Sequence, residues 1–307
     1  MKVAKNILDL IGNTPLLKLS NITKDSLANV YGKCEFINPL GSVKDRTALA
    51  MIEAAEKAGD IKKGTLILEA TSGNTGIGLA FVGAIKGYKV ILTMPDGMSL
   101  ERRKLLKALG AELVLTPAHL GMNGAIDKLK EIAKEHKNSF ITQQFDNEAN
   151  PTVHYTTTGP EIDSALDGKV DILVAGVGTG GTLAGISRYF KEKNPNFVSI
   201  AVEPKDSAVL SGNEPGPHRL QGIGAGFIPG NIKDGDFNEV FKVGNEDAVK
   251  TTRRLAKEEG TFVGISAGAN VFAALEIAKR PENKGKNIVT ILCDFGERYL
   301  STTLFDS

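Results

Sequence analysis

The stretch "DILVAGVGTGGTLAGISRYF", residues 171–190, joins three things in order: a continuous apolar run, a cluster of glycines and a helix-forming segment. A run apolar at every position suits a strand buried on both faces, as in a parallel sheet. The glycines mark a tight turn, and the helix that follows points its first amides back toward it. Such an N-terminus is a ready anion site, best suited to a phosphate. Thr179 and Thr182 add hydroxyl donors. Within the turn, residues 176–181 also read G-x-G-x-x-G, and Glu203 follows Gly181 by 22 residues at the end of the next apolar run. That spacing approaches a dinucleotide fingerprint, in which the acid meets a ribose hydroxyl.

The same rhythm recurs along the chain. Apolar runs at 65–70, 89–94, 111–116, 171–177, 199–204 and 287–294 alternate with helical patterns at 76–87, 99–109, 122–137, 182–193, 246–259 and 268–280. Alternation of this kind specifies an α/β fold with mostly parallel sheets covered by helices. Gly59, Gly87 and Gly110 fall where helices should end. Two irregular zones interrupt, at 143–161 and at 211–236; the second is Gly/Pro-rich and too long to be a mere connection.

A second strand–turn–helix unit reads "EATSGNTGIGLA", residues 69–80. Thr71, Ser72, Asn74 and Thr75 crowd around Gly73 and Gly76, more polar groups than one helix cap requires. This turn suits a small anion such as a carboxylate. A third candidate is Ser266 in "GISAGAN" (264–270), placed either to cap a helix or to reach a cofactor.

One lysine stands out. In "NPLGSVKDRTALAMIEAAEKAG", residues 38–59, helical periodicity puts Lys44 on one face with Ala48, Met51, Ile52 and Ala55. Asp45, Arg46, Glu53, Glu56 and Lys57 fall on the other side. Most such lysines bury the stem and keep the ammonium in water. At the first turn of a helix, however, the dipole and burial both disfavour the charged form, which suits a Schiff-base amine.

The 307 residues are 41% hydrophobic and 24% charged with a net charge of +1, which gives no general electrostatic case for nucleic acid or an anionic membrane. No apolar run reaches the roughly 20 residues of a membrane helix. The N-terminal residues make a poor signal peptide, and the isolated Cys34 and Cys293 fit a reducing cytoplasm. His119, His136, His154 and His218 lack metal-ligand spacing, so no metal is expected.

Taken together and in order, "NPLGSVKDR", "TSGNTGIGLA", "MPDGMSLERRKLLKALGAELVLTP", "GVGTGGTLAG", "PGPHRLQGIGAGFIP", "GISAGAN" and "FGERYLSTTLF" resemble the cysteine synthase family. These are the O-acetylserine sulfhydrylases among the pyridoxal 5'-phosphate (PLP) enzymes of fold type II. The resemblance covers nearly the whole chain. It departs at Ala267, where a second serine is common, and in "STTLF" for "STPLF". It implies two open, twisted, mostly parallel sheets with the active site in the cleft between domains. A smaller domain is expected over 39–146, and a larger one over 1–38 plus 147–307. It further implies that Lys44 carries PLP as a Schiff base and that Asn74 bonds the ring 3′-oxygen. Gly178, Thr179, Gly180, Gly181 and Thr182 would hold the phosphate, and Ser266 would face the pyridine nitrogen. Thr71, Ser72, Thr75 and Gln144 would bind the substrate carboxylate. The implied reaction joins O-acetyl-L-serine and sulfide into L-cysteine and acetate, in a homodimer. A further implied partner is the C-terminal tail of serine acetyltransferase, competing for the carboxylate turn. O-Phosphoserine sulfhydrylase and cystathionine β-synthase chemistry are near alternatives. More remote are an NAD-linked oxidoreductase using Gly176, Gly178, Gly181 and Glu203, and a binding protein without catalysis.

Overall fold

The computed structural model describes residues 3–71, 73–97 and 99–306. Its elements, in chain order, are β1 (Leu16–Leu19), β2 (Asn29–Cys34), α1 (Lys44–Ala58), β3 (Leu66–Ala70), α2 (Asn74–Lys86), β4 (Val90–Pro95) and α3 (Leu100–Ala108). Next come β5 (Glu112–Thr116), α4 (Gly121–Glu135), β6 (Ser139–Ile141), α5 (Ala149–Val153), α6 (Gly159–Ala165), β7 (Ile172–Gly176) and α7 (Gly181–Lys193). Last are β8 (Val198–Pro204), β9 (Glu239–Val243), α8 (Asn245–Glu259), α9 (Ile265–Ala278) and β10 (Asn287–Leu292). The chain divides into two compact units, Met1–Ile11 with Asn38–Ala149, and Gly12–Ile37 with Asn150–Ser307.

The first unit is built on a four-stranded sheet of order β5-β4-β3-β6, parallel throughout. Leu68 and Ile91 pack with Leu129 and Ile132 of α4 on one face. Ile67 and Leu92 pack with Met51, Ile52 and Ile77 on the other. Burial on both faces is why these strands read as continuous apolar runs. The order reverses between β3 and β6, so the crevice beyond their carboxyl ends is where an open α/β sheet binds ligands.

The second unit carries a six-stranded sheet of order β1-β2-β10-β7-β8-β9. Only β1 runs antiparallel to its neighbour, β2; the other pairs are parallel. Along β7, Ile172 and Val174 face one core while Leu173 and Ala175 face the other. Here the order reverses between β7 and β10, which puts the glycine turn after β7 at a switch point.

Gly59 and Gly87 close α1 and α2 in the left-handed conformation, as their positions predict, and Gly110 follows α3 at φ 86°. Two expectations fail. Asp45 and Arg46 are buried, at 0% and 2% exposure, instead of facing solvent. The loop before α1 folds over its start, and the Asp45 carboxylate accepts the Leu40 N–H at 2.7 Å. The zone 143–161 is not irregular throughout: α5, a π-helical turn His154–Thr158 and the start of α6 occupy its second half.

The crossing of α1 and α2 sets the position of Lys44. A Cβ on Gly78 would lie 2.9 Å from the Lys44 carbonyl oxygen and 2.8 Å from the Ala48 Cβ. Only a hydrogen at residue 78 lets α2 meet the first turn of α1 this closely. Gly78→Ala should destabilise the protein by about 1–3 kcal/mol through overpacking, measured by urea unfolding. Unchanged stability would mean that the crossing relaxes without cost.

Candidate functional site

The candidate residues fall into two sets, one in each unit. In the first unit, Lys44 opens α1 and is half-buried, and the Ser42 hydroxyl accepts its backbone N–H at 3.2 Å. Thr71 leaves β3 with its N–H donated to the Thr93 carbonyl at 3.1 Å, and its Oγ1 accepts the Gly73 N–H at 3.2 Å. Asn74 and Thr75 then form the first turn of α2. The buried Thr75 hydroxyl donates to Gln144 Oε1 at 2.6 Å. The turn after β3 and the turn after β6 are therefore brought together at the switch point. Ser72 lies outside the described residues.

Behind this pair sits a residue that the sequence did not mark. Glu69, in β3, is 5% exposed. Its carboxylate accepts the Thr142 hydroxyl, and the nearby backbone N–H groups of Gln144, Ala70 and Gln143 favour its charged form. Burial pushes its carboxyl up to about 7 from an ordinary 4.5, against the pull of those donors.

In the second unit, the turn after β7 is stripped of side chains where the backbone must come close. Gly180 has φ +83°, a conformation that glycine adopts without strain. A Cβ on Gly178 would lie 2.2 Å from the Gly222 carbonyl oxygen, and one on Gly181 would lie 2.0 Å from Asn150 Oδ1. Three fully buried asparagines hold the turn. Asn270 accepts the Gly176 N–H at 2.7 Å, Asn150 donates to Thr179 Oγ1 at 2.9 Å, and Asn231 donates to the Thr179 carbonyl at 2.9 Å. The Thr182 hydroxyl lies 3.2 Å from His154 Nε2, whose Nδ1 lies 2.8 Å from the Thr158 hydroxyl. Nothing in the sequence pattern distinguishes these asparagines or His154, because they support the turn from distant segments. The long loop 211–236 buttresses it as well, through Gly222 and Asn231. Ser266 is buried in the first turn of α9, but Gly264, not Ser266, is the cap. Its Oγ would be 3.7 Å from a Cβ on Gly222.

Glu203, the acid of the dinucleotide-like spacing, has another use. It is 1% exposed and accepts the Leu210 N–H at 2.8 Å and the Ser211 hydroxyl at 2.6 Å. A carboxylate spent on its own loop is not placed for a ribose. A cavity of about 1030 Å³ in the second unit, lined by Arg219, Lys250, Arg253, Arg254, Lys257 and Tyr299 among others, includes none of the candidate residues. Cys34 is buried, and burial pushes its thiol up to about 11 despite the neighbouring Lys33. No helix among the described residues is long and apolar enough to cross a membrane.

A glycine turn opening a helix at the switch point of one sheet, and separately a lysine and a hydroxyl-rich helix start in the other unit, are features of enzymes that use a phosphorylated cofactor. The chain belongs to the pyridoxal-phosphate dependent enzyme family, whose pattern it matches over residues 7–294. It is 57% identical over 305 residues to the cysteine synthase of Staphylococcus aureus, covering 99% of this chain and 98% of that one. The crystal structure of the cysteine synthase of Entamoeba histolytica superposes with a TM-score of 0.98 at 44% identity, covering 100% of this chain and 92% of that one. A hydrogen sulfide-producing enzyme from Fusobacterium nucleatum follows with a TM-score of 0.92 at 46% identity, covering 97% and 100%. The cofactor is pyridoxal phosphate, and the turn after β7 is of a kind that suits its phosphate: glycines at 178, 180 and 181 where the packing leaves no room for a side chain, followed at once by the N-terminus of α7.

The pH dependence of Glu69 follows from its position. Its folded pKa of about 7 lies above the ordinary 4.5, so between these values the folded protein holds a proton that the unfolded chain has released. The associated stability is full below 4.5 and lost as pH rises through 7. Relative to Glu69→Gln, the wild type should lose up to about 3 kcal/mol of unfolding free energy over that interval. Urea denaturation of both proteins at several pH values checks this; parallel pH profiles would refute it.

Proposed function

We propose that this chain catalyses the cysteine synthase reaction, a β-replacement that converts O-acetyl-L-serine and sulfide to L-cysteine and acetate. The observation that carries this is the 57% identity to a cysteine synthase across 99% of the chain. When bound, pyridoxal phosphate supplies an electron sink for bond-breaking at the substrate's α-carbon. The residues supply the rest.

In this reading Lys44 Nζ would hold the cofactor and, as the positioned base, would take the proton from the substrate's α-carbon and later return it to the product. Acetate leaves the β-carbon, and sulfide adds there. Thr71, Ser72, Thr75 and Gln144 fix the α-carboxylate and so aim the α-proton at Lys44. The backbone and hydroxyls of Gly178, Thr179, Gly180, Gly181 and Thr182 anchor the phosphate. Asn74 bonds the ring 3′-oxygen. Ser266 offers the ring nitrogen a neutral hydroxyl in place of a carboxylate, which favours prompt elimination over transamination. We assign the substrate-holding role to the unit around 39–146, which Met1–Ile11 joins instead of the larger one, and the phosphate-holding role to the unit of Gly12–Ile37 with Asn150–Ser307. The working form is read as a cytoplasmic homodimer; the half-exposed Phe227, Ile228 and Leu300 offer apolar surface for a partner copy.

The experiment is turnover of O-acetylserine with sulfide, beside O-phosphoserine and serine. Lys44→Ala should lose at least about 100- to 10,000-fold in rate, the worth of a positioned general base. A Lys44→Ala variant at wild-type rate, or a protein inert toward O-acetylserine, would refute the assignment.

A carboxylate turn that accepts an amino acid also suits the free C-terminus of a peptide. We read the C-terminal tail of serine acetyltransferase as such a ligand. A peptide of that tail should inhibit competitively and lose its effect when its C-terminus is amidated. Inhibition indifferent to amidation or to Thr71→Ala would exclude this mode.

A further inference from the structure

The strand β6 is short, and its end is unusual. It pairs with β3 only through Leu66↔Ser139, Ile67↔Phe140 and Leu68↔Ile141, and the last rung is the Thr142 N–H on the Leu68 carbonyl at 3.2 Å. The chain then turns sharply: Gln143 has φ +52°, a left-handed conformation that a residue of its kind rarely adopts. Beyond it, the Glu69 carboxylate of β3 accepts the Thr142 hydroxyl, and the N–H groups of residues 143 and 144 lie near enough to favour its charged form. A side chain thus continues the pairing of two strands past the point where their backbones part.

What it secures is the residue at the end of the turn. Gln144 lies directly beyond, and its Oε1 accepts the Thr75 hydroxyl at 2.6 Å. We propose that Glu69 is a positioning residue for the substrate carboxylate, clamping the turn 142–144 so that Gln144 is held against Thr75. This rests on the assignment of Gln144 and Thr75 to the carboxylate under Proposed function. The identity of residue 69 fits the task. All its partners are donors, and no cation is among them in the described residues. A carboxylate offers two accepting oxygens, whereas glutamine would turn an NH₂ toward N–H groups. A sheet end with no further duty would be better served by an apolar side chain, since a buried, unpaired carboxylate is costly.

The test compares the wild-type holoenzyme with Glu69→Gln, Glu69→Asp, Gln144→Ala and the Glu69→Gln/Gln144→Ala double variant. Cofactor absorbance, amide hydrogen exchange at residues 143 and 144, and steady-state kinetics are read on each. Glu69→Gln should keep its cofactor, speed exchange at both amides, and raise the KM for O-acetylserine about tenfold, the worth of one to two hydrogen bonds. The kcat should change far less. The double variant should be no worse than Gln144→Ala, because Glu69 acts through Gln144. Glu69→Asp keeps the charge on a shorter arm and should fall between wild type and Glu69→Gln; it carries the comparison if Glu69→Gln does not fold. Faster exchange with unchanged KM would reduce Glu69 to a structural role and overturn the proposal, as would additive effects in the double variant. Should the wild type not use O-acetylserine at all, the cycle is read instead on affinity for L-serine against L-serinamide, followed by cofactor absorbance. Loss of the preference for the free carboxylate in Glu69→Gln then supports the proposal independently, and its persistence overturns it.

Discussion

Packing too close for any side chain is the constraint on which the turn after β7 depends. At Gly178, Gly181 and Gly185 the chain runs so close to Gly222, Asn150 and Pro151 that a methyl group has no room. The amides at the start of α7 follow directly on this turn, the kind of helix N-terminus that suits an anion. The contacts also tie together segments far apart in sequence: the loop 211–236, the start of α5 and the turn after β7. The same device recurs in the other unit, where Gly78 seats α2 on the first turn of α1 and so fixes the base of Lys44.

Two acids at strand ends show a second shared device. Glu203 closes the loop after β8 by accepting two amides and the Ser211 hydroxyl. Glu69 holds the start of the turn after β6 by accepting the Thr142 hydroxyl, with the amides of residues 143 and 144 close to the same carboxylate. In both places a carboxylate collects the N–H groups that a sheet leaves over where its strands end, satisfying donors that would otherwise be buried alone. The difference lies in what the captured loop carries. Beyond Glu203 is a short helical turn; beyond Glu69 is Gln144.

The parallel cores were legible because strands buried on both faces leave continuous apolar runs, and the runs at 65–70, 89–94 and 171–177 correspond to β3, β4 and β7. Helical periodicity singled out Lys44, and the strand–turn–helix pattern singled out the two helix-start turns. Other elements leave a weaker pattern. β6 has three residues, all half-buried. β2 contains Gly32 and the buried Lys33, whose ammonium is neutralised by Glu161 at 2.6 Å, a partner 128 residues away. Asp45 looked solvent-facing because the loop that covers it is invisible to a helical wheel. The supporting shell of Asn150, Asn231, Asn270, His154 and Glu69 escaped for a common reason. Its members act through long-range hydrogen bonds, which local periodicity does not encode.

The burial of Cys34 has a consequence for the chemistry around the protein. An enzyme that consumes sulfide and releases a thiol works amid species that exchange with disulfides and cap exposed cysteines. Such reactions proceed through the thiolate. Burial pushes the Cys34 thiol up to about 11, so at neutral pH it stays protonated. It fills its place at the end of β2 as a small apolar side chain, and the enzyme's own reagents and product find no nucleophile there.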